Sequence, residues 1–294
     1  MAHMDMHVHS VVSPDGEISP HGLAELCRQE GVTLAALTDH NAVSGVPEFS
    51  WRGAQLGVRV ILGIELDCML DGLQIHILGY GIDIANEAIQ TIEKSARKTL
   101  QAVSEQQMDA VMRQGILFDR STVLEKARDG VITAEMIAEA ALREPKNKVH
   151  PLIRPLLPGG ARADRPLVNF YWDVCAPGKA AYIPIPYITA EQAIQTIHAA
   201  GGIAVLAHPM VNIGMQTEPL KQLIAFSLDG IEVFSSYHSS QAAAFYLDLA
   251  EEHRLLMTGG SDFHGSTKPD IRLGAIDFMG REGALRTAVL SALF

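Results

Sequence analysis

Short apolar strand patterns alternate with amphipathic helical ones along most of this chain, and the residue following a strand pattern is repeatedly a histidine or a carboxylate. Strand patterns at Met4–His9, Leu34–Thr38, Val58–Leu62 and Leu73–Gly79 are interleaved with helical ones from Pro20 to Glu30 and from Val46 to Leu56. Ser19-Pro20 supplies the cap and first-turn proline of the first helix. From about residue 85 the strands stop; helical patterns run to Arg143, followed by a Pro/Gly/Arg-rich connection over 144–168. Alternation then resumes with helices at Ala190–Ala200, Pro219–Ser227 and Gln241–His253 and strands at Ile203–Ala207, Ile231–Phe234 and Leu255–Thr258. Repeated units of this size predict an α/β fold with a parallel sheet, closed as a barrel or doubly wound. The expected division is a sheet domain from 1–84 and 180–294, with 85–179 an inserted, mainly helical cap and its connecting loop.

The polar residues at the strand ends carry the functional signal. His7-Val-His9 puts two imidazoles on one side of an extended strand, with Asp5 two residues earlier. His40, Glu65, His208 and the pair Asp262 and His264 each follow a strand pattern, and His76 lies inside one. In a parallel barrel the strand C-termini open on one face, so these distant residues converge there. Several carboxylates and imidazoles buried together are costly unless paired or holding cations, and a polynuclear metal centre removes that cost. His238, in Tyr237-His-Ser-Ser240, follows the strand ending at Phe234 and faces the same end. His3, His21, His150, His198 and His253 lie in a terminus, helices and a loop, and are read as structural or solvated.

Composition narrows the class. With 23 Lys+Arg against 34 Asp+Glu the net charge is −11, and there is no dense basic run. Duplex nucleic acid is therefore an unexpected partner, while a small phosphorylated substrate stays open because bound cations reverse the local field. Cys27, Cys68 and Cys175 stand apart, as reduced thiols do. No apolar run is long enough to span a membrane, and Met-Ala-His-Met-Asp-Met-His lacks the form of a secretory signal, so the expected location is cytoplasmic.

His7-Val-His9, Thr38-Asp-His40, Gly63-Ile-Glu65, His76, Ala207-His-Pro209 and Ser261-Asp-Phe-His264, in this order, resemble the PHP (polymerase and histidinol phosphatase) family of metal-dependent phosphoesterases, within the amidohydrolase superfamily. The resemblance spans both ends of the chain and implies a distorted, TIM-like (β/α)7 barrel with two to three divalent ions, Mn, Fe or Zn, at its strand ends. It implies one ion held by His7, His9, Glu65 and Asp262, with Glu65 bridging to a second held by His76 and His208. A third falls to Asp15, His40 and His264; Asp15, in Ser13-Pro-Asp-Gly16, is alternatively a turn residue.

The implied chemistry is in-line attack on phosphorus by a hydroxide bridging two ions, with Glu65, Asp262 and His208 at the reacting centre. His238 or Asp39 is the candidate acid for the leaving alkoxide, and Arg162, Arg165, Lys179 and His238 are the candidate substrate contacts. The substrate expected is a small phosphorylated metabolite, a nucleotide or sugar phosphate. Nucleotide-type members, which act on 3′,5′-bisphosphates or trim short RNA 5′ ends, present Thr-Arg-x-His-Phe in the cap and Gly-Arg after Ala-His-Pro. This chain has Ile132-Thr-Ala-Glu-Met136 and Met210-Val-Asn212 instead. Asn169-Phe-Tyr-Trp-Asp173 with Pro177-Gly-Lys179 is closer to members that open and hydrolyse cyclic sugar phosphates. A bisphosphatase or exoribonuclease, an amide (C–N) hydrolase and a non-catalytic metal-dependent scaffold are the alternatives.

Overall fold

The structure, a computed structural model, describes residues 3–294. Met1 and Ala2, which the expected barrel domain took in, lie outside them. In chain order the strands are β1 (Met4–Val8), β2 (Leu34–Leu37), β3 (Arg59–Leu70), β4 (Leu73–Tyr80), β5 (Ile188–Thr189), β6 (Ile203–Leu206), β7 (Gly230–Ser235) and β8 (Leu256–Gly260). The helices are α1 (Pro20–Gln29), α2 (Val46–Leu56), α3 (Glu87–Arg113), α4 (Arg120–Leu124), α5 (Ala134–Arg143), α6 (Pro166–Phe170), α7 (Ala190–Ala199), α8 (Pro209–Asn212), α9 (Glu218–Ala225), α10 (Ser240–His253) and α11 (Glu282–Leu293). The described chain forms two compact units, one of the residues up to Glu93 with Tyr187–Phe294, the other Lys94–Pro186.

In the first unit the sheet runs β1-β2-β3-β4-β6-β7-β8, with the two-residue β5 attached to β3 off this path. Val8 bridges Phe263, and Asp262 N–H donates to the His7 carbonyl at 2.8 Å, so the first and last strands meet and the sheet nearly closes. This is the expected seven-stranded barrel. Its distortion has a specific source, since β4 is antiparallel to both β3 and β6 while the other pairs on the path are parallel. The β3–β4 connection is the two-residue turn Asp71-Gly72, both at positive φ (46° and 86°), a geometry that matches strand twist and that Asp-Gly readily adopts.

Every residue of β1, β2 and β7 is buried, as strands covered on both faces must be. Met4, Met6 and Val8 join Leu34, Leu37, Ile61 and Phe234 in the core, each contributing about 1.5–3 kcal/mol by burial. α1 opens with Ser19 accepting from Gly22 N–H, and α7 with a reciprocal Thr189–Gln192 capping box. One expectation is corrected here. Glu65 does not follow its strand; β3 continues to Leu70 because it pairs with β4 along its length, so Glu65 lies mid-strand.

The second unit is helical, with its own core of Met108, Val111, Ile116, Ile137, Ile153, Leu156, Phe170 and Val174. Its polar anchor is the buried Asn147, which donates to the Leu117 and Ala141 carbonyls (2.7 and 2.8 Å) and accepts from Leu117 N–H (3.0 Å). No helix among the described residues is long and apolar enough to cross a membrane.

Candidate metal centre

Alternation along β1 sends Met4, Met6 and Val8 to one side and Asp5, His7 and, just past the strand, His9 to the other. All three polar residues are fully buried. His7 Nε2 and His9 Nε2 stand 3.1 Å apart, and His7 Nε2 is 3.3 Å from Glu65 Oε1 and 3.2 Å from Asp262 Oδ1. His9 Nε2 is 3.1 Å from both Glu65 Oε2 and Asp262 Oδ1. A second group shares Glu65, whose Oε1 is 3.0 Å from His76 Nδ1 and 3.1 Å from His208 Nε2. A third joins His9, His40 and His264, with Asp15 Oδ2 3.3 Å from His264 Nε2. The structure thus brings His7, His9, Asp15, His40, Glu65, His76, His208, Asp262 and His264 into one continuous cluster.

Cations fit this arrangement. Two imidazole nitrogens facing each other at 3.1 Å repel unless a proton or a cation lies between them. Buried Glu65 Oε2, Asp262 Oδ1 and His264 Nε2 lack a hydrogen-bond partner, as atoms reserved for a cation do. Ligand atoms about 2.0–2.1 Å from a tetrahedral ion stand about 3.3 Å from one another, close to the 3.1–3.3 Å separations around His7 and His9.

Electrostatics agrees. Burial opposes charge on His7, but Glu65, Glu232 and Asp262 prevail and hold its imidazole well above the usual range. Against the same burial, Asp67 and Glu65 raise His40, while His7, His40 and His76 hold Glu65 well below the usual carboxylate range. Asp262 is likewise depressed by His264, His7 and Lys268 although burial acts the other way, and Asp15 by His264, His40 and Lys268. His9 is the exception, pushed down to about 4 by burial and by neighbouring His264 and His40, which leaves it a neutral ligand. The carboxylates call for positive charge throughout.

The buried acids beside the cluster organise loops. Asp5 accepts from Ser261 N–H (2.8 Å), Ser261 Oγ–H (2.6 Å) and Gly274 N–H (2.8 Å), tying the chain after β8 to β1; burial nonetheless raises it to about 6. Asp39, a candidate acid, is corrected to a loop anchor. Its oxygens accept from Ser10 N–H and Oγ–H (both 2.7 Å), Ser13 Oγ–H (2.9 Å) and Ser13 N–H (3.3 Å).

His238 is corrected as well. Its Nδ1–H donates to the Val233 carbonyl at 2.8 Å, its Nε2 accepts from Met210 N–H at 3.4 Å, and its ring stacks on Tyr246. Burial lowers its pKa although the Val233 carbonyl acts the other way, and both ring nitrogens are engaged by backbone. Arg162, Arg165 and Lys179 all belong to the second unit. Arg162 is engaged by Asp173 through Nε and Nη2 (3.0 and 3.1 Å), Arg165 has its own interactions, and Lys179 is exposed.

Sequence reasoning missed residues that the structure places at the cluster. Asp67 Oδ1 is 3.1 Å from His40 Nδ1 and 3.2 Å from His76 Nε2, while Asn41 Nδ2–H donates to its Oδ2 at 2.7 Å. Its signal was the two-residue spacing from Glu65 on one strand face. Glu232 touches His7 and His208, and its signal was a lone charge inside the apolar Ile231-Glu-Val-Phe234. Tyr237 Oη–H and Lys268 Nζ–H both donate to Asp262 Oδ2, at 2.6 and 2.7 Å; nothing in the local sequence marks either.

Comparison with known proteins agrees with this geometry. The PHP domain family matches residues 5–139. Over 266 residues the chain is 31% identical to a phosphoribosyl 1,2-cyclic phosphate 1,2-diphosphodiesterase of Eggerthella lenta, covering 89% of this chain and 94% of that protein. It is 30% identical over 268 residues to a 3′,5′-nucleoside bisphosphate phosphatase of Chromobacterium violaceum, covering 90% and 88% respectively. Among solved structures, a Chromobacterium violaceum amidohydrolase with bound sulfate and no metal superposes with a TM-score of 0.78 at 26% identity, over 98% of this chain and 97% of that one. The sequence match, the near-closed barrel and the histidine–carboxylate cluster together establish that the chain belongs to the PHP-domain family.

Proposed function

We propose that the chain is a metal-dependent phosphoesterase that works with two to three divalent ions, Mn, Fe or Zn, on a small sugar carrying a five-membered cyclic phosphate, on the monoester derived from it, or on both. The observation that carries this reading is the convergence of His7, His9, Glu65 and Asp262, with Glu65 shared by His76 and His208. The first four would hold one ion, Glu65, His76 and His208 a second, and Asp15, His40 and His264 a third. Bound divalent ions supply Lewis acidity toward phosphoryl oxygens and bring the pKa of a coordinated water toward neutrality.

The chain's own residues set the rest. Tyr237 and Lys268 occupy Oδ2 of Asp262, which reserves Oδ1 for a cation. Lys268 is about a third exposed (32%), so a phosphoryl oxygen can compete for its N–H donors and be neutralised there. The cysteine thiols, all buried and raised by burial, are not nucleophiles, in keeping with direct attack by water.

The choice of a cyclic sugar phosphate is supported by the Eggerthella lenta relative and by Ile132-Thr-Ala-Glu-Met136 and Met210-Val-Asn212 standing where nucleotide-type members carry arginine. The Chromobacterium violaceum relative favours a second reading, removal of phosphate from a 3′,5′-bisphosphate. Product formation by manganese-loaded protein, read as ring opening or phosphate release from cyclic sugar phosphates, sugar monophosphates and nucleoside 3′,5′-bisphosphates and as amine release from amides, decides between them, with His208→Asn excluding a contaminating hydrolase. Preference for the cyclic sugar supports the proposal, and preference for the bisphosphate replaces it with the second reading. Turnover of amides alone, or of nothing by cation-loaded protein, overturns both.

A further inference from the structure

Glu232 is a buried charge that the metal-centre reading does not use. Glu232 is fully buried in the middle of β7, flanked in sequence by Ile231 and Val233. Leaving a carboxylate there is costly unless specific donors compensate it. Its partners come from β1 and from the turn just after β6, and from different cation groups. Its oxygens lie 3.2 and 3.4 Å from His7 Nδ1, and Oε2 accepts from the backbone N–H of His208 at 2.8 Å. His7 belongs with His9, Glu65 and Asp262, and His208 with Glu65 and His76.

We propose that Glu232 is a positioning residue that presets both groups at once. Its oxygens make the Nδ1–H tautomer of His7 the favoured one, which turns the Nε2 lone pair toward Glu65 and Asp262. At His208 the same carboxylate steadies strained backbone, φ 21° and ψ 59°, a region rarely used by a residue with a Cβ. That backbone delivers Nε2 to Glu65, while Asn212 Oδ1 holds Nδ1 at 2.9 Å. β8 is shaped around the arrangement, because a Cβ on Gly260 would stand 2.2 Å from His7 Cβ and 2.8 Å from Glu232 Oε1. A neutral amide at position 232 accepts more weakly than a carboxylate and puts an NH2 group where one of the two oxygens stood, so Glu232→Gln weakens the hold on both donors without removing a ligand.

The inference rests on the metal-centre reading, and the test separates the two. Chelator-stripped full-length chain is titrated with Co2+ by calorimetry, with apo folding checked by circular dichroism. Glu232→Gln is expected to weaken Co2+ at both the His7 and the His208 positions by about 10–100-fold. Asn212→Ala, which touches the ring of His208 and not His7, is expected to weaken one alone. Weakening of one position or neither in Glu232→Gln overturns the proposal, whereas no Co2+ binding by the unaltered chain overturns the metal reading and the inference with it. A measurement on the unaltered chain covers a variant that fails to fold: 113Cd–15N coupling is expected through His7 Nε2 with the Nδ1 proton retained. Coupling through Nδ1 overturns the assignment.

Discussion

Replacing Asp39 tests whether the loop after β1 is held by a buried acid or whether that acid serves the chemistry. In Asp39→Ala, the N–H and hydroxyl donors of Ser10 and Ser13 lose their shared acceptor inside the protein. A buried donor left unpaired costs about 1–3 kcal/mol. The hydroxyls can turn to other acceptors, and Ser13 N–H keeps the Ser10 carbonyl at 3.1 Å. That leaves Ser10 N–H as the unpaired donor, so the cost is about 1–3 kcal/mol, or roughly 2–5 °C in Tm for a chain of this size. Asp39→Asn retains one acceptor oxygen and sheds the cost of a buried charge, which already raises the Asp39 pKa, so its loss is smaller, about 1 kcal/mol or less. Urea denaturation of the cation-free chain followed by circular dichroism reads both values. A second effect follows from Ser13, whose Oγ is 2.9 Å from both His9 Nδ1 and the His40 backbone nitrogen. Loosening Ser13 should also weaken the cation shared by His40 and His264. The reasoning fails if Asp39→Ala costs less than about 1 kcal/mol. It fails equally if folded, cation-loaded Asp39→Asn loses turnover by orders of magnitude at unchanged stability, the mark of a proton donor.

Two further outcomes are expected. Lys268→Met removes the ammonium beside Asp262 and should raise KM for a phosphate ester about tenfold, the equivalent of one charge-assisted hydrogen bond, with a smaller change in kcat and unchanged cation content; an unchanged KM would refute its role in gripping phosphate. Cation binding should release protons. His7 and His40 are held above the usual imidazole range in the cation-free chain, so they are protonated near neutral pH and a cation must displace those protons, while His9, at about 4, contributes none. Affinity therefore rises with pH until these imidazoles are deprotonated, and calorimetry in buffers of different ionisation enthalpy should return a positive proton count. Zero release would contradict the electrostatics described for the cluster.

Much of the centre was legible because its residues sit where periodicity is simple. His7 and His9 share a strand face, and His40, His208 and Asp262 follow strands whose ends a barrel gathers at one rim. The residues that were missed act through contacts between strands. Asp67 reaches His40 and His76 because β3 outruns the barrel rim and pairs with an antiparallel β4, which places Asp67 opposite His76. Lys268 reaches Asp262 from a loop whose path no local pattern specifies. His238 was misread for the same reason, since its distance from a strand end was visible but its commitment to Val233 and Met210 was not.

Most strand and helix positions of the first unit and most of the histidine and carboxylate cluster follow from sequence alone, because side-chain periodicity and burial are local consequences of residue order, whereas the antiparallel β4 and helix α11 were not read. Tertiary structure decided which carboxylates face ligands and which hold loops. Asp5, Asp39, Glu65, Asp67, Glu232 and Asp262 are chemically alike along the chain, and what separates them is the donor each one meets. For Asp39 that donor is a serine loop; for Glu232 it is an imidazole and a strained backbone N–H; for Glu65 it is the imidazoles of His7, His9, His40, His76 and His208. Those meetings are set by strand pairing and by closure of the barrel, long-range events that no window of sequence contains.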